Sequence, residues 1–362
     1  MRLVARRLLL GLSLIAMASA GLLLSDLGRR NKPTSDIPRI GLLQHASTLL
    51  LDEGTRGAVD ALGENGFIDG KSIVIDRFNA HGDISVGNSI ATQMVNARYD
   101  LLLTMSTLSL QAVANANRGG KTVQVFGLVA DPSVAGVGVS RNNPLEHPRN
   151  LVGYGSFLPV QDAFSIAREM FPTLKSVGVA WNPAEANSRA FVEKAREVCQ
   201  EMKIELLEAN VENSSSVIEA EDSLVSRGAE ILWIGGDVTV NVAVDSVVSV
   251  GRRAGIPVFS ITPGTPDRGT LFDYGADFYQ IGRKTGELAS RVLRGSDPAQ
   301  IPVENLIPIW FVVNTRALKG LKQHWRVPDT VLRRANVIVD EKGIHQRSSA
   351  AGQADQASKN EP

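Results

Sequence analysis

The chain has 362 residues, in which 38 Lys+Arg balance 38 Asp+Glu, and aromatic residues make up only 5%. That length supports two cored α/β domains, while the cancelled charge offers no field for nucleic acid or an anionic membrane surface. Sparse aromatics without a basic stripe also argue against a single-strand nucleic-acid binder.

Arg2, Arg6 and Arg7 precede a charge-free run from Leu8 to Ser25, and Ala18-Ser19-Ala20 offers small residues for a signal peptidase. The apolar run continues through Leu22-Leu23-Leu24 past that point, so residues 1–27 read as a signal peptide or a retained anchor. No cysteine lies there to carry a lipid. Residues 28–36 form a polar linker. The rest of the chain contains no run approaching the ~20 apolar residues that span a bilayer.

From residue 37 onward, short apolar runs alternate with segments of helical period. Strands are predicted at 40–43, 73–77, 101–105, 123–129, 151–154, 177–181, 204–209, 231–234 and 258–260. Helices are predicted at 51–64, 86–97, 108–117, 160–170, 188–202, 216–227 and 240–254. Asn65-Gly66, Arg227-Gly228 and Ala254-Gly255 stand where helices should stop. Regular βα alternation implies parallel sheets covered by helices on both faces. One more strand and helix follow at 271–294, and a Pro-rich passage leads to a strand at 309–313. The expected division is a first lobe of 37–153 plus 265–305 and a second of 154–264 plus 306–342. Residues 343–362 are polar, aperiodic and expected to be disordered.

Signatures of catalysis are missing. The five histidines are scattered without a cysteine or histidine partner at ligand spacing. There is no phosphate-binding loop, no Gly-x-Gly-x-x-Gly after a strand and no Gly-x-Ser-x-Gly elbow. Cys199, the only cysteine, lies among apolar residues at helical spacing and reads as core. The chain is therefore expected to be no enzyme and to need no cofactor or metal.

In parallel α/β sheets ligands gather beyond the carboxyl ends of the strands. In the first lobe these positions are Gln44 and His45, then Ser106 and Thr107 opening a helix, then Asp131 before a proline. In the second lobe they are Trp181, Asn182, Glu185, Asn187 and Ser188, then Asp237 after two glycines, and Thr262. The hydroxyls and free N–H groups at Ser106-Thr107 suit an anion. Each also has a plain structural use as a helix cap, a turn opener or a core ring.

From Ile40 to about Leu321 the blocks, in order, resemble the substrate-binding proteins of ATP-binding cassette transporters, tryptophan/tyrosine type. The carrying residues are Phe67-Ile68-Asp69-Gly70-Lys71, Asn79-Ala80-His81-Gly82-Asp83, Val129-Ala130-Asp131-Pro132, Trp181-Asn182-Pro183-Ala184-Glu185-Ala186-Asn187-Ser188, Ile256-Pro257-Val258-Phe259, Tyr279-Gln280-Ile281-Gly282-Arg283 and Ile301-Pro302-Val303-Glu304. The resemblance implies a type 1 periplasmic-binding architecture, two Rossmann-like lobes joined by three crossovers. It implies a monomeric periplasmic protein that closes on a small organic solute and presents it to permease and ATPase subunits. It points to Thr107, Asp131, Asn182, Glu185, Asn187, Ser188 and Asp237 as ligand residues. Thr262 stands where members often carry an Asp, Val238-Thr239 where they often carry Asn-Thr, and Ser47-Thr48-Leu49 where they carry Glu-His-Pro. The ligand is accordingly expected to be amino-acid-like or planar. A membrane-anchored sensor domain that binds a similar solute is the alternative.

Overall fold

The computed structural model describes residues 37–120 and 122–347. The expected leader, anchor and linker, and the tail beyond 347, lie outside the described residues. No described helix is long and apolar enough to cross a membrane.

The first sheet is built by β1 (Arg39–Gln44), β2 (Val74–Asn79), β3 (Leu101–Met105), β4 (Val123–Val129) and β5 (Leu151–Gly155), with the short β11 (Glu304–Asn305) at its edge. Its order is β11-β5-β4-β3-β1-β2, all parallel. The central strands are almost wholly buried, as runs such as Leu101-Leu102-Leu103 require of a sheet covered on both faces. Its helices are α1 (Leu49–Glu64), α2 (Ile84–Asn96) and α3 (Thr107–Ala116). Each begins with a hydroxyl or carboxylate cap, Thr48, Asp83 and Ser106 respectively.

The second sheet uses β6 (Ser176–Trp181), β7 (Glu205–Asn210), β8 (Ile231–Ile234), β9 (Val258–Ser260), β10 (Phe272–Ala276), β12 (Ile309–Asn314), β13 (Val337–Asp340) and β14 (Gly343–Gln346). Its order is β14-β13-β12-β10-β9-β8-β6-β7. The helices are α4 (Val160–Met170), α5 (Ala186–Met202), α6 (Val217–Ser226), α7 (Val238–Val242), α8 (Val244–Ala254) and, late in the chain, α10 (Asp329–Arg334). Cys199 is buried in the core of this lobe. The helix expected over 240–254 is broken at Ala243, whose φ of −106° and ψ of 22° leave the helical range.

The chain crosses between the sheets three times, after β5, after β10 and after β11. The expected lobe limits need three corrections. Tyr154, placed in the second lobe, pairs with Glu304 in the first sheet. Phe272–Ala276, placed with the first lobe, is a central strand of the second sheet. There Phe272 stacks on Phe259 at 5.1 Å and meets Phe311 edge-on at 6.3 Å, so burial of an aromatic ladder decides its lobe. The expected tail begins as ordered strand: Gly343–Gln346 folds back antiparallel on β13. The Asp340 carboxylate holds that turn by accepting from the Lys342 and Gly343 N–H groups at 2.8 and 3.2 Å.

Among the later helices α9 (Phe278–Leu293) returns to the first lobe, where it lies against α1. The two backbones touch: a Cβ on Gly282 would fall 1.9 Å from the Gly54 carbonyl, and one on Gly286 would fall 2.2 Å from that of Ala58. These glycines permit a contact that no larger residue allows.

Candidate functional site

The carboxyl ends of both sheets face one cleft. On the first lobe, Ser106 caps α3 by accepting from the Ser109 N–H at 3.0 Å. Helix geometry then leaves the N–H groups of Thr107 and Leu108 without an intrahelical partner. The Thr107 hydroxyl accepts from the Ala130 N–H at 3.3 Å, so its own proton is free to donate. This wall offers donors.

Three expected residues of that lobe do not border the cavity. The Gln44 amide donates to the Ala46 carbonyl at 2.7 Å and to Asp52 at 2.6 Å, and its oxygen accepts from Thr55 at 2.9 Å, so its polar atoms are engaged within the lobe. His45 is buried, and burial holds its imidazole below the ordinary value despite the carboxylates of Glu185 and Asp83. Asp131 folds into a local turn, accepting from the Ser133 N–H at 2.9 Å and hydroxyl at 2.6 Å, with Arg141 at 3.4 Å.

On the second lobe, two carboxylates meet the start of α7. Asp237 accepts from the Val240 N–H at 2.6 Å, the Ser188 hydroxyl at 2.9 Å and the Asn182 N–H at 3.3 Å. Glu185 accepts from the N–H groups of Val238 and Thr239 at 2.8 and 3.0 Å and from the Thr239 hydroxyl at 2.6 Å. Burial first, and the neighbouring Glu185 second, push the Asp237 carboxyl up to about 7. Asn182 donates to the Thr239 hydroxyl at 2.9 Å and accepts from the Ala184 N–H at 2.9 Å. Asn182, Glu185 and Ser188 therefore shape the turn behind the wall and do not face the cavity. Trp181 also lies away from it, packed in the core with the Arg196 guanidinium 5.5 Å above its ring.

What the fold does bring together is Ser106 and Thr107 from one lobe with Asn187, Asp237 and Thr262 from the other. They border one shared cavity between the lobes. The Asn187 amide donates to the Gly236 carbonyl at 2.8 Å, while its Oδ1 is buried without a hydrogen-bond partner. Much of the remaining wall is apolar, with Leu50, Leu51, Leu128, Leu158, Phe191 and Phe278, and Thr48, Ser156 and Asn241 are its other polar residues. Phe191 packs on Phe157 of the first crossing with ring centroids 4.9 Å apart. Helices α3 and α5, from opposite lobes, are in contact, so the cleft is closed.

Sequence reasoning missed Phe191, Asn241 and the leucines. Phe191 lies one helical turn beyond Asn187 and Asn241 one turn beyond Asp237, so an i+4 extension of the strand-end positions would have found both. The leucines carry no such signal, since an apolar residue in a helix reads as core.

Residues 39–339 match the family model described as ABC transporter substrate binding protein. The chain belongs to that family. This substrate-binding protein is 30% identical over 299 residues to a tyrosine-binding protein of Clostridioides difficile, covering 82% of this chain and 85% of that one. It superposes with a TM-score of 0.77 on an ABC domain from Streptococcus pneumonia in complex with L-Trp. That pair is 24% identical and covers 84% of this chain and 100% of the other. A ligand-free, open substrate-binding protein with adhesive properties from Clostridium difficile is 29% identical. It covers 79% of this chain and 96% of that one, with a TM-score of 0.60. The fold and the family agree that the protein captures a small solute for an ABC transporter by closing its lobes on it.

Proposed function

We propose that this substrate-binding protein is the periplasmic receptor for an α-amino acid with a flat apolar side chain, delivered to an ABC permease and its ATPase. One observation carries the reading: residues with donors on one lobe and residues with acceptors on the other border the same largely apolar cavity. The α3 N-terminus and the Thr107 hydroxyl suit a carboxylate. The Asn187 Oδ1 and the Asp237 carboxylate suit an ammonium group. The ring of Phe191, with Leu51, Leu128 and Leu158, suits an aromatic side chain. The tyrosine-binding and L-Trp-bound relatives support the same ligand class. With ligand held between the lobes, binding and closure are one event and no bond is made or broken. Residues 1–27 would direct the chain to export.

Protein stripped of ligand by unfolding and refolding is titrated calorimetrically with L-tryptophan, L-tyrosine, tryptamine, indole-3-propionate and uracil. Tight binding of the amino acids, with a loss of about tenfold or more for each analogue lacking one charge, is the expected result. Equal or tighter binding of an uncharged planar compound sinks the amino-acid reading.

A further inference from the structure

The most deeply buried ion pair among the described residues lies behind the cleft. Arg268 donates to Asp273 at 2.6 Å, with side-chain exposures of 9% and 0%. The same Arg268 nitrogen donates to the Thr262 carbonyl at 2.8 Å, and the Thr270 hydroxyl holds the second Asp273 oxygen at 3.0 Å. Thr262 donates its hydroxyl to Asn241 Oδ1 at 2.7 Å. That contact turns the Asn241 amide so that Nδ2 holds the Gly235 and Asp237 carbonyls at 3.1 and 2.7 Å. Between them, the Gly236 carbonyl receives Asn187 Nδ2 at 2.8 Å, a donor shared with Glu185 at 3.2 Å, and Asn187 Oδ1 is left buried without a partner on a residue that borders the cavity.

We infer that Arg268, paired with Asp273, is a positioning residue for ligand recognition, orienting the Asn187 acceptor through Thr262, Asn241 and the Gly235–Asp237 turn. A buried ion pair adds little net stability over an apolar pair of the same volume. Its directed bonds are another matter. One guanidinium nitrogen gives its two hydrogens to two acceptors, the carboxylate and a turn carbonyl, in the fixed plane of the group. The later links also have side branches, Ser260 on the Thr262 hydroxyl at 2.8 Å and Glu185 on Asn187 Nδ2 at 3.2 Å, so disturbing the first link shifts the last without releasing it.

This inference rests on the cleft being the ligand site, and the test separates the two. R268M/D273L removes both charges and strands neither; T262V cuts the next link and leaves the ion pair; T262S keeps the hydroxyl. The side-chain amide ¹H–¹⁵N signals of Asn187 and Asn241 are read in ligand-free protein, and affinity is read with L-tryptophan. R268M/D273L and T262V should both shift the Asn187 signals and weaken L-tryptophan by about tenfold. Combining them should cost no more than either alone, because they act on one path. T262S should leave the Asn187 and Asn241 signals where the parent protein has them. Unshifted Asn187 signals in either variant, or losses that multiply, overturn the inference. Should R268M/D273L fail to fold, R268K reads the same link, and unchanged Asn187 signals there overturn it too. If the parent protein fails to bind L-tryptophan, the amino-acid reading falls while the ligand-free signals still decide the relay.

Discussion

At Asp237 the charge of the protein meets that of the proposed ligand. Its carboxyl is raised from 3.8 to about 7, chiefly by burial. Below 3.8 both folded and unfolded chains hold the proton, so the group is neutral to stability there. Between these values the unfolded chain ionises and the folded one resists, so a penalty on stability grows as pH rises and has its full size above about 7. An ammonium group seated against the ionised form reverses that penalty. Affinity for L-tryptophan should therefore weaken as pH falls from about 8 to about 5, and D237N should flatten the calorimetric pH profile while lowering affinity. Gly236 sets a second test, since a Cβ there would lie 2.1 Å from Phe191 Cε2. G236A should push the ring out of the wall and cut L-tryptophan affinity by about tenfold; unchanged calorimetric affinity would place Phe191 outside the site. At this scale the sequence was only half legible. Ser106 and Asp237 follow strands and cap helices, so their positions could be read directly. Glu185 could not, because nothing local reveals that the backbone of Val238 and Thr239, more than fifty residues on, would claim its oxygens.

Helix α6 carries a carboxyl that the lobe has no use for in its charged form. Glu221 is fully buried, neither side-chain oxygen has a hydrogen-bond partner, and burial pushes it up to about 8 despite the Ala180 backbone amide nearby. Its penalty grows as pH rises from 4.5 to about 8. Glu221→Leu should raise stability to urea at about pH 9 by about 1–3 kcal/mol and by less at about pH 5; a variant equally stabilised at both pH values would show that ionisation is not the cause. The α1–α9 seam gives the opposite sign. Gly282→Ala should cost about 1–3 kcal/mol or more in urea unfolding, because backbone and not a movable side chain opposes the new methyl group. Element type was largely readable from period and turn chemistry, as in Leu101–Met105 and Val123–Val129. Lobe membership was not: nothing local in Phe272–Ala276 says which sheet takes it, and its pairing beside Phe259 assigns the strand.

For the whole molecule, two lobes in contact imply that a ligand works against an open alternative. Its apparent affinity is the intrinsic one reduced by the fraction of closed protein. Stripped protein should therefore be larger in solution scattering and should contract when L-tryptophan is added. A ligand at about 100 times its dissociation constant adds about 2.7 kcal/mol and should raise the melting temperature by several degrees. An unchanged radius with a raised melting temperature would mean that closure precedes the ligand. Two of the crossings reach the cleft wall, where Leu158 and Phe278 border the cavity.

The same threading has a consequence for the order in which the protein can be made. The first sheet begins at Arg39, yet its covering helix ends at Leu293 and its edge strand at Asn305. The second begins at Ser176 and needs β12, β13 and β14, the last ending at Gln346. Neither lobe can finish while the chain is still being synthesised from its first half. The first sheet lacks its edge strand until Asn305 has been made, and the second lacks β14 until Gln346 has.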